Sequence, residues 1–275
     1  MPELPEAEVV ARHIRDRLIG ARLADYRVLR DDIVREGLDS FPLYLGATLE
    51  SVERWGKSVV LAFSRKNEIR YLVAELGMTG LLLFEEAVRS RTRHIHVRLG
   101  FRGGREPNLY YWNARRFGRL YLLDRAGLRR YTSRRFGCDP LAVDWESFWQ
   151  ILRGRRGRLK ALLMHQQVIA GIGNIYANEI LFAAKLHPYR RANQLPKARA
   201  QLLYEAMQAI LGAAIAQGGS SIRDFVTPDG KPGCYRQDHR VYDREGQPCL
   251  RACGGSIRTR KGERTSFYCP VCQRW

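Results

Sequence analysis

The sequence contains no long apolar segment, no internal repeat and no low-complexity tract. A membrane-spanning helix needs a run of about 18 or more apolar residues, and neither such a run nor a lipidation motif is present. The acidic N-terminal residues also lack the basic and then apolar pattern of a secretory signal peptide. We therefore expect a globular, cytoplasmic protein that has no membrane partner.

Acidic residues are few relative to basic ones. The 275 residues include 28 Asp and Glu against 47 Lys and Arg, which gives a net charge of +19. A surplus of this size attracts polyanions and makes nucleic acid the expected partner. Hydrophobic residues make up 45% of the chain, so it is long enough and apolar enough to bury the core of one large or two modest domains.

The periodicity of apolar residues changes twice along the chain. Helical spacing in the first residues gives way to short β-rich segments at 51–63, 69–76, 80–84, 94–101 and 118–123. From about residue 145 the spacing is helical again, and a Gly-rich loop at 218–233 and a cysteine-bearing tail follow. We predict an α+β multidomain protein with an N-terminal helix and β-sandwich or barrel over 1–130, a helical domain over 131–240 and a small tail domain over 241–275.

The tail carries the clearest local signal, because it contains two closely spaced cysteine pairs with fifteen residues between them. Spacings of this kind can place four thiolates tetrahedrally around one Zn²⁺, and the metal would then supply most of the folding energy of so small a unit. The alternative is four unrelated reduced thiols. The predicted ligands are Cys249, Cys253, Cys269 and Cys272.

A second signal lies at residues 153–188. Five cations precede an apolar helix there: Arg153, Arg155, Arg156, Arg158 and Lys160. The sequence GIGN at 171–174 then turns into another helix, whose N-terminus and Asn174 could hold a phosphate. A plain interhelical turn with glycines that allow close packing is the alternative.

The first residues, MPELPEAE, have two explanations. Proline and glutamate are both favourable in the first turn of a helix, for steric and for electrostatic reasons. Alternatively, removal of Met1 would expose Pro2 as a secondary amine. An N-terminal α-amino group has a pKa of about 7.7–8.0, so part of it is a free nucleophile at neutral pH.

Three further positions carry residue types that suit the extrusion of a base from duplex DNA. Met78 and the Arg115–Phe117 segment occupy predicted turns, and they could supply an apolar plug, a cation and a stacking ring. A capped hairpin with Phe117 in the core is equally compatible. Lys57, within a strand-like run, is either a solvated surface residue or a reagent in a cleft.

Taken together, these motifs resemble those of the formamidopyrimidine-DNA glycosylase and endonuclease VIII family of base-excision repair enzymes. The resemblance runs in the family's order through MPELPEAE, GK (56–57), LGMTG (76–80), RRFG (115–118), GIGNIYANE (171–179), DGKPG (229–233) and RTSFYCPVCQ (264–273). It implies an N-terminal helix with a β-sandwich, a helix–two-turn–helix domain and a C-terminal zinc-finger β-hairpin.

The resemblance also implies roles for individual residues. Pro2, Glu3, Lys57 and Arg264 match catalytic positions, and Pro2 would be the nucleophile of a glycosylase and abasic-site lyase that works through a Schiff base and β,δ-elimination. Expected DNA contacts are Met78, His94, Arg115, Phe117, Arg155, Lys160 and Asn174. The expected partner is duplex DNA with damaged bases or abasic sites, bound by a monomer associated with the nucleoid, and the expected cofactor is one structural Zn²⁺.

Three positions depart from the family pattern. The usual His before LGM is Glu75, the usual Asp-Pro before RRFG is Asn113-Ala114, and the first cysteine pair is C-x3-C. The RRFG and DGKPG segments are similar to those of the formamidopyrimidine branch of the family, and this resemblance implies oxidised purines such as 8-oxoguanine as substrates. Removal of oxidised pyrimidines by an endonuclease VIII-like enzyme, or non-catalytic DNA binding, are the alternatives.

Overall fold

A computed structural model describes residues 2–274 of the chain and groups them into two compact units. Of the described residues, the first unit comprises 2–134 and Gln217–Arg236, and the second comprises Arg135–Ala216 and 237–274. Met1 itself, whose removal the sequence analysis expects, lies outside the described residues. The division into three domains at residues 130 and 240 stays a prediction.

The first unit opens with helix α1, Leu4–Leu18, as the apolar spacing predicts. Pro5 lies in the first turn, where its missing N–H costs no intrahelical hydrogen bond. The buried side chains Val10, Ile14 and Leu18 follow one another at helical intervals, so this face of the helix packs into the core of the unit.

Nine strands of the first unit join in one hydrogen-bonded sheet, in the order β2-β9-β5-β4-β3-β1-β7-β8-β6. Their bounds are β1 Arg22–Val28, β2 Val34–Glu36, β3 Thr48–Trp55, β4 Ser58–Arg65, β5 Glu68–Glu75, β6 Gly80–Phe84, β7 Ile95–Arg102, β8 Asn108–Asn113 and β9 Arg119–Leu123. The link between β1 and β3 is short, with Arg22 opposite Thr48, whereas β1 pairs with β7 along most of its length. This link divides the sheet into the two layers of a β-sandwich around a common core.

The run at 51–63 forms two strands, where the sequence pattern suggested a single segment. Gly56 and Lys57 form a two-residue turn between β3 and β4, with Trp55 paired to Ser58. Gly56 adopts φ +59°, which glycine tolerates without steric cost. Lys57 therefore lies at the tip of a hairpin instead of within a strand.

Two short helices and a returning segment complete the first unit. Helix α2 spans Glu85–Val88, and helix α3, Arg125–Ser133, begins where the Asp124 carboxylate accepts a hydrogen bond from the Gly127 N–H. Phe225 and Val226, from far along the chain, are buried in the same core as the sandwich. The 217–236 segment is therefore an integral part of this unit.

Among its described residues, the second unit contains four α-helices and a hairpin. The helices are α4 Trp145–Arg153, α5 Leu159–Met164, α6 Asn174–Ala183 and α7 Lys197–Ala216, and the hairpin strands are β10 Arg258–Arg260 and β11 Ser266–Tyr268. Helix α6 is buried on nearly every side, and its polar residues Asn178 and Glu179 are buried together with its apolar ones. Around the hairpin, Val241, Ile257 and two of the cysteines form a small separate core with Phe182.

Within residues 2–274, no helix combines the length and the apolar character that a membrane span requires.

Candidate active site and nucleic-acid interface

Pro2 and Glu3 are buried at the N-terminal end of α1. Glu3 is the N-cap residue, and its backbone N–H donates to Glu6 Oε2 at 2.7 Å within a capping box. Helix capping is thus part of the explanation for the sequence MPELPEAE. The capping box also fixes the direction in which the chain enters the helix. Pro2 stands immediately before the cap, outside the helix.

Glu6 also makes a long-range contact, which the sequence alone does not indicate. Its Oε1 atom accepts a hydrogen bond from the Ser220 N–H at 2.7 Å, and the side chain is 1% exposed. Gly219, at φ +83°, leaves room for the carboxylate, because a Cβ there would lie 2.8 Å from Glu6 Oε1. One buried carboxylate therefore ties the start of α1 to the 218–233 loop.

The same loop is held a second time further along α1. The Arg17 guanidinium contacts Asp229 at 3.2 Å and Glu106 at 2.7 Å, and His13 Nε2 lies 3.6 Å from Asp229. The loop is thus anchored at both ends on the helix that follows Pro2. Between the anchors, Arg223 and Asp224 are exposed.

Lys57 lies close in sequence to a second link with α1. The Glu8 carboxylate accepts from the Arg54 guanidinium at 3.0 Å, and the same guanidinium donates to the Gly56 carbonyl at 3.3 Å. Burial by itself raises the pKa of Glu8, but hydrogen bonds and charge from Arg12 and Arg54 outweigh it and hold the pKa below its usual range. These contacts place the half-buried Lys57 turn beside the early turns of α1.

Glu75, at the end of β5, occupies the position where the family usually has His. Its carboxylate accepts from the Tyr131 hydroxyl at 2.8 Å and from the Tyr121 hydroxyl at 3.3 Å. The added negative charge is therefore engaged by two tyrosines of the same unit.

Two neighbouring turns carry the residues expected to fill a base-sized gap. We refer to residues 77–79 as the Met78 turn and to residues 114–118 as the Phe117 turn. They touch directly, because a Cβ on Gly77 would meet the Gly118 nitrogen at 2.5 Å. The Phe117 side chain is 55% exposed, and the Arg115 guanidinium lies 4.9 Å from the centre of its ring. The alternative in which Phe117 fills the core is therefore wrong.

His94 is exposed at the start of β7. It adopts φ +71°, and its ring meets Trp112 edge-on at 5.9 Å. The His94 carbonyl accepts from the Asn113 N–H at 2.9 Å, so His94 lies at the same edge of the sandwich as the end of β8.

In the second unit, the GIGN turn leads into α6 as predicted, and Asn174 is the first residue of the helix. Gln166 braces the turn: it accepts from the Gly171 N–H at 2.9 Å and donates to the Ile172 carbonyl at 2.9 Å. Gly171 adopts φ +95°. A rigid turn at a helix N-terminus suits an anion.

The cations of the 153–160 run divide into two groups. Arg153, Arg155, Arg156 and Arg158 are exposed. Lys160, in contrast, is 6% exposed, and its Nζ donates to the Thr265 carbonyl at 2.7 Å and to Ser266 Oγ at 3.0 Å. This geometry corrects the expectation that Lys160 contacts DNA directly, because its ammonium supports the hairpin.

Arg264 lies exposed in the turn between β10 and β11. The hairpin beneath it is fixed by Lys160 and by Asn178, whose Oδ1 accepts from the Phe267 N–H at 3.0 Å. The tip of the hairpin thus exposes the Arg264 guanidinium, while Lys160 and Asn178 hold the strands of the hairpin in place.

The four tail cysteines come together. Their sulfur atoms all lie within 4.8 Å of one another, with Sγ–Sγ distances of 3.8 Å between Cys249 and Cys272 and 3.5 Å between Cys253 and Cys269. Tetrahedral thiolates at about 2.3 Å from a Zn²⁺ ion would be separated by about 3.8 Å. The cysteines therefore fit a tetrahedral metal site.

Known proteins match this chain over its whole length. The family model described as "Formamidopyrimidine-DNA glycosylase N-terminal domain" matches residues 1–120, and "Formamidopyrimidine-DNA glycosylase H2TH domain" matches residues 136–226. The formamidopyrimidine-DNA glycosylase of Methylococcus capsulatus is 40% identical over 279 residues, with 100% of both chains covered. The corresponding protein of Pseudomonas putida is 40% identical over 282 residues, again with 100% of both covered.

Solved structures agree. The MutM (Fpg) protein of Thermus thermophilus superimposes with a TM-score of 0.85 and 36% identity, covering 99% of this chain and 98% of that one. A Lactococcus lactis Fpg mutant in complex with Fapy-dG-containing DNA superimposes with a TM-score of 0.87 and 31% identity, covering 100% of both chains.

Proposed function

Because this chain belongs to the formamidopyrimidine-DNA glycosylase family, we propose that it is a bifunctional DNA glycosylase and abasic-site lyase that removes oxidised purines, such as 8-oxoguanine and formamidopyrimidines, from duplex DNA. The observation that carries the proposal is the exposed Phe117 turn in the same compact unit as the Pro2-Glu3 terminus. A protein that only bound DNA would need neither an exposed wedge nor a free N-terminal amine.

The first step is extrusion of the damaged base. A base within the duplex is out of reach of a nucleophile, so the nucleotide must leave the stack. Met78 and Phe117 supply apolar surface for the gap, and Arg115, stacked on the Phe117 ring, supplies a donor for the orphaned partner base.

The chemistry then follows from the secondary amine of Pro2. The nitrogen attacks C1′ of the sugar, the bond from C1′ to the base breaks, and the base leaves with its bonding electrons and a proton. The sugar ring then opens: the C1′–O4′ bond breaks, O4′ takes a proton, and the nitrogen lone pair forms the C=N⁺ bond of a proline iminium. This iminium is permanently cationic and acidifies the C2′ proton. Loss of that proton eliminates the 3′ phosphate, and a second elimination releases the 5′ phosphate. Glu3, next to Pro2, is the acid and base at the sugar.

The remaining site residues act on the phosphates and on proton transfer. We assign Lys57, at its hairpin turn, to proton transfer and phosphate contact near the lesion. His94, Arg155, Asn174 and Arg264 are assigned to the DNA backbone, which fixes register without reading sequence. Lys160 contributes indirectly, since it supports the hairpin that presents Arg264.

The four-cysteine site would hold one Zn²⁺ with a structural role. Four protein ligands leave no open coordination position, so such an ion would fold the hairpin and take no part in the reaction. We further propose the three functional domains at 1–130, 131–240 and 241–275, action as a monomer, and a cytoplasmic location in association with nucleoid DNA, where the substrate is found.

Covalent trapping tests the proposal. Borohydride added during turnover should reduce the iminium and link protein to DNA, and peptide mapping should place the adduct on Pro2 with Met1 absent. An uncleaved N-terminal tag should abolish trapping because it converts the amine to an amide. Glu3→Gln should keep DNA binding and lose base excision.

The substrate panel separates the alternatives. Matched duplexes would carry 8-oxoguanine, a formamidopyrimidine, thymine glycol or an abasic site. Preference for thymine glycol would indicate the pyrimidine-specific function, and binding with no cleavage of any duplex would indicate a non-catalytic protein. Full excision by protein that still carries Met1 or a tag would overturn the role of Pro2.

A further inference from the structure

Behind the exposed wedge lies a buried polar side chain that no catalytic step uses. Asn113 ends β8, opposite Gly80 of β6, and is 0% exposed. Buried amides are retained where both their oxygen and their nitrogen find partners. The partners of Asn113 include residues of both the Met78 turn and the Phe117 turn.

The oxygen of Asn113 faces two donors. Oδ1 accepts from the Thr79 hydroxyl at 2.8 Å and from the Arg116 N–H at 2.9 Å. The Thr79 oxygen in turn accepts from the Arg115 N–H at 3.0 Å. Thr79 belongs to the Met78 turn, whereas Arg115 and Arg116 belong to the Phe117 turn, so one carboxamide links the two turns.

The nitrogen of Asn113 extends the link to the strand before the Met78 turn. Nδ2 donates to the Tyr111 hydroxyl at 3.1 Å, and that hydroxyl donates its single hydrogen to the Glu75 carbonyl at 2.7 Å. The backbone N–H of Arg116 can only donate, so it fixes Oδ1, and therefore Nδ2, in this orientation. The donor and the acceptor of each hydrogen bond in this network are therefore defined.

We propose that Asn113 is a positioning residue for base extrusion: its buried carboxamide, together with the Thr79 hydroxyl, locks the Met78 and Phe117 turns into one rigid wedge. This rests on the proposed function. Insertion of two separate loops into a duplex would require each to be ordered during extrusion, whereas a wedge that is already rigid avoids that entropic cost.

The geometry also predicts what Asp, the usual residue of the family at this position, would change in this chain. A carboxylate has no hydrogen to donate to Tyr111. Tyr111 would then have to turn its O–H toward residue 113, and the Glu75 carbonyl would lose this donor. A charge at a fully buried position would add a desolvation cost.

The test compares excision with lyase activity. Thr79→Val keeps the size of the side chain and removes both hydrogen bonds of the hydroxyl, and Thr79→Ser restores the hydroxyl. On 8-oxoguanine duplexes, single-turnover excision by Thr79→Val and by Asn113→Asp should fall about tenfold or more, whereas cleavage of a preformed abasic site should fall less than about threefold. Thr79→Ser should excise at close to the parent rate.

A control and a second readout keep the outcome specific. Tyr110→Phe removes another tyrosine hydroxyl bond from β8, the one to Glu85 at 2.7 Å, and should change neither activity. A 2-aminopurine beside the lesion should brighten less with Thr79→Val than with the parent, because the wedge unstacks its neighbours less. If Asn113→Asp fails to fold, the comparison of Thr79→Val with Thr79→Ser still tests the positioning role.

Several results would overturn the proposal. Parent-like excision by Thr79→Val, or equal losses on the two substrates, would show that the hydrogen bonds serve packing alone while the parent's activity upheld the enzymatic function. A parent protein that cleaved neither duplex would overturn both the enzymatic function and the positioning role.

Discussion

At the scale of single residues, the first turn of α1 assigns different tasks to similar side chains. Glu6 is committed to backbone N–H groups at both of its oxygens, those of Glu3 and Ser220. Glu3, three residues earlier, caps the helix next to Pro2. A pair of acids that looks repetitive in sequence is therefore one structural anchor and one candidate for proton transfer.

A buried histidine gives the first unit a pH dependence. His96 donates from Nε2 to the Asn113 carbonyl at 2.8 Å. Burial lowers the pKa of His96 below its usual value and outweighs the opposing effects of this hydrogen bond and of Asp32. A lowered pKa means that the unfolded chain binds the proton more readily. The stabilising contribution is therefore present above about pH 6.5 and is lost as the pH falls through the lower folded pKa.

We expect the free energy of unfolding of zinc-loaded protein to fall between about pH 7.5 and 5.5, and to fall less in His96→Gln. Denaturant unfolding across this range measures the slope. His165→Gln, which removes an exposed imidazole of the second unit, is the matched control and should keep the parent slope. Identical slopes for the parent and His96→Gln would contradict the assignment.

At the scale of elements, the β10–β11 hairpin depends on its metal site more than on its core. The apolar residues around it are few, so thiolate coordination would supply most of its folding energy. Cys253→Ser should lower bound zinc well below one ion per chain, raise hydrogen exchange in residues 249–273 and weaken DNA binding, while the β-sandwich stays folded. Cys234→Ser, at an exposed thiol, should retain the zinc. A full zinc content in Cys253→Ser would count against the four-thiolate site.

The hairpin tip has its own expected signature. Arg264→Gln should weaken binding to all DNA sequences alike and reduce the slope of log K against log salt by about one, as loss of one phosphate contact predicts. Lys66→Gln removes one exposed charge from the β4–β5 turn, and its slope should change much less. Equal changes in the two variants would indicate a general charge effect instead of a contact.

At the scale of the whole molecule, local patterns predicted local structure well. Helix α1, the helical region after residue 145 and the GIGN turn follow from periodicity and glycine placement, and the fold class is confirmed. The Gly56-Lys57 turn was missed because the apolar residues on both sides read as one run. Strand β1 was missed because polar residues interrupt its apolar ones. Strand β8 contains an unbroken run, LYYW, that could have been used to predict it.

Long-range contacts left no trace in the sequence. Lys160 looked like one more cation of a basic run, because its partner Thr265 lies 105 residues away. The network around Asn113 is equally invisible, since its members come from separate strands and two turns. Nothing in a linear pattern shows which polar side chains will meet in the interior.

The return of residues 217–236 to the first unit has a consequence for biosynthesis. Ser220 follows Glu6 by 214 residues, and Phe225 and Val226 enter a core whose strands end at residue 123. On the ribosome, the N-terminal helix and the strands emerge long before the segment that completes them. Removal of the initiator methionine would thus expose the proline amine on a nascent chain in which Ser220, the partner of Glu6, has not yet been translated. The nucleophile would therefore exist before the loop that completes its surroundings.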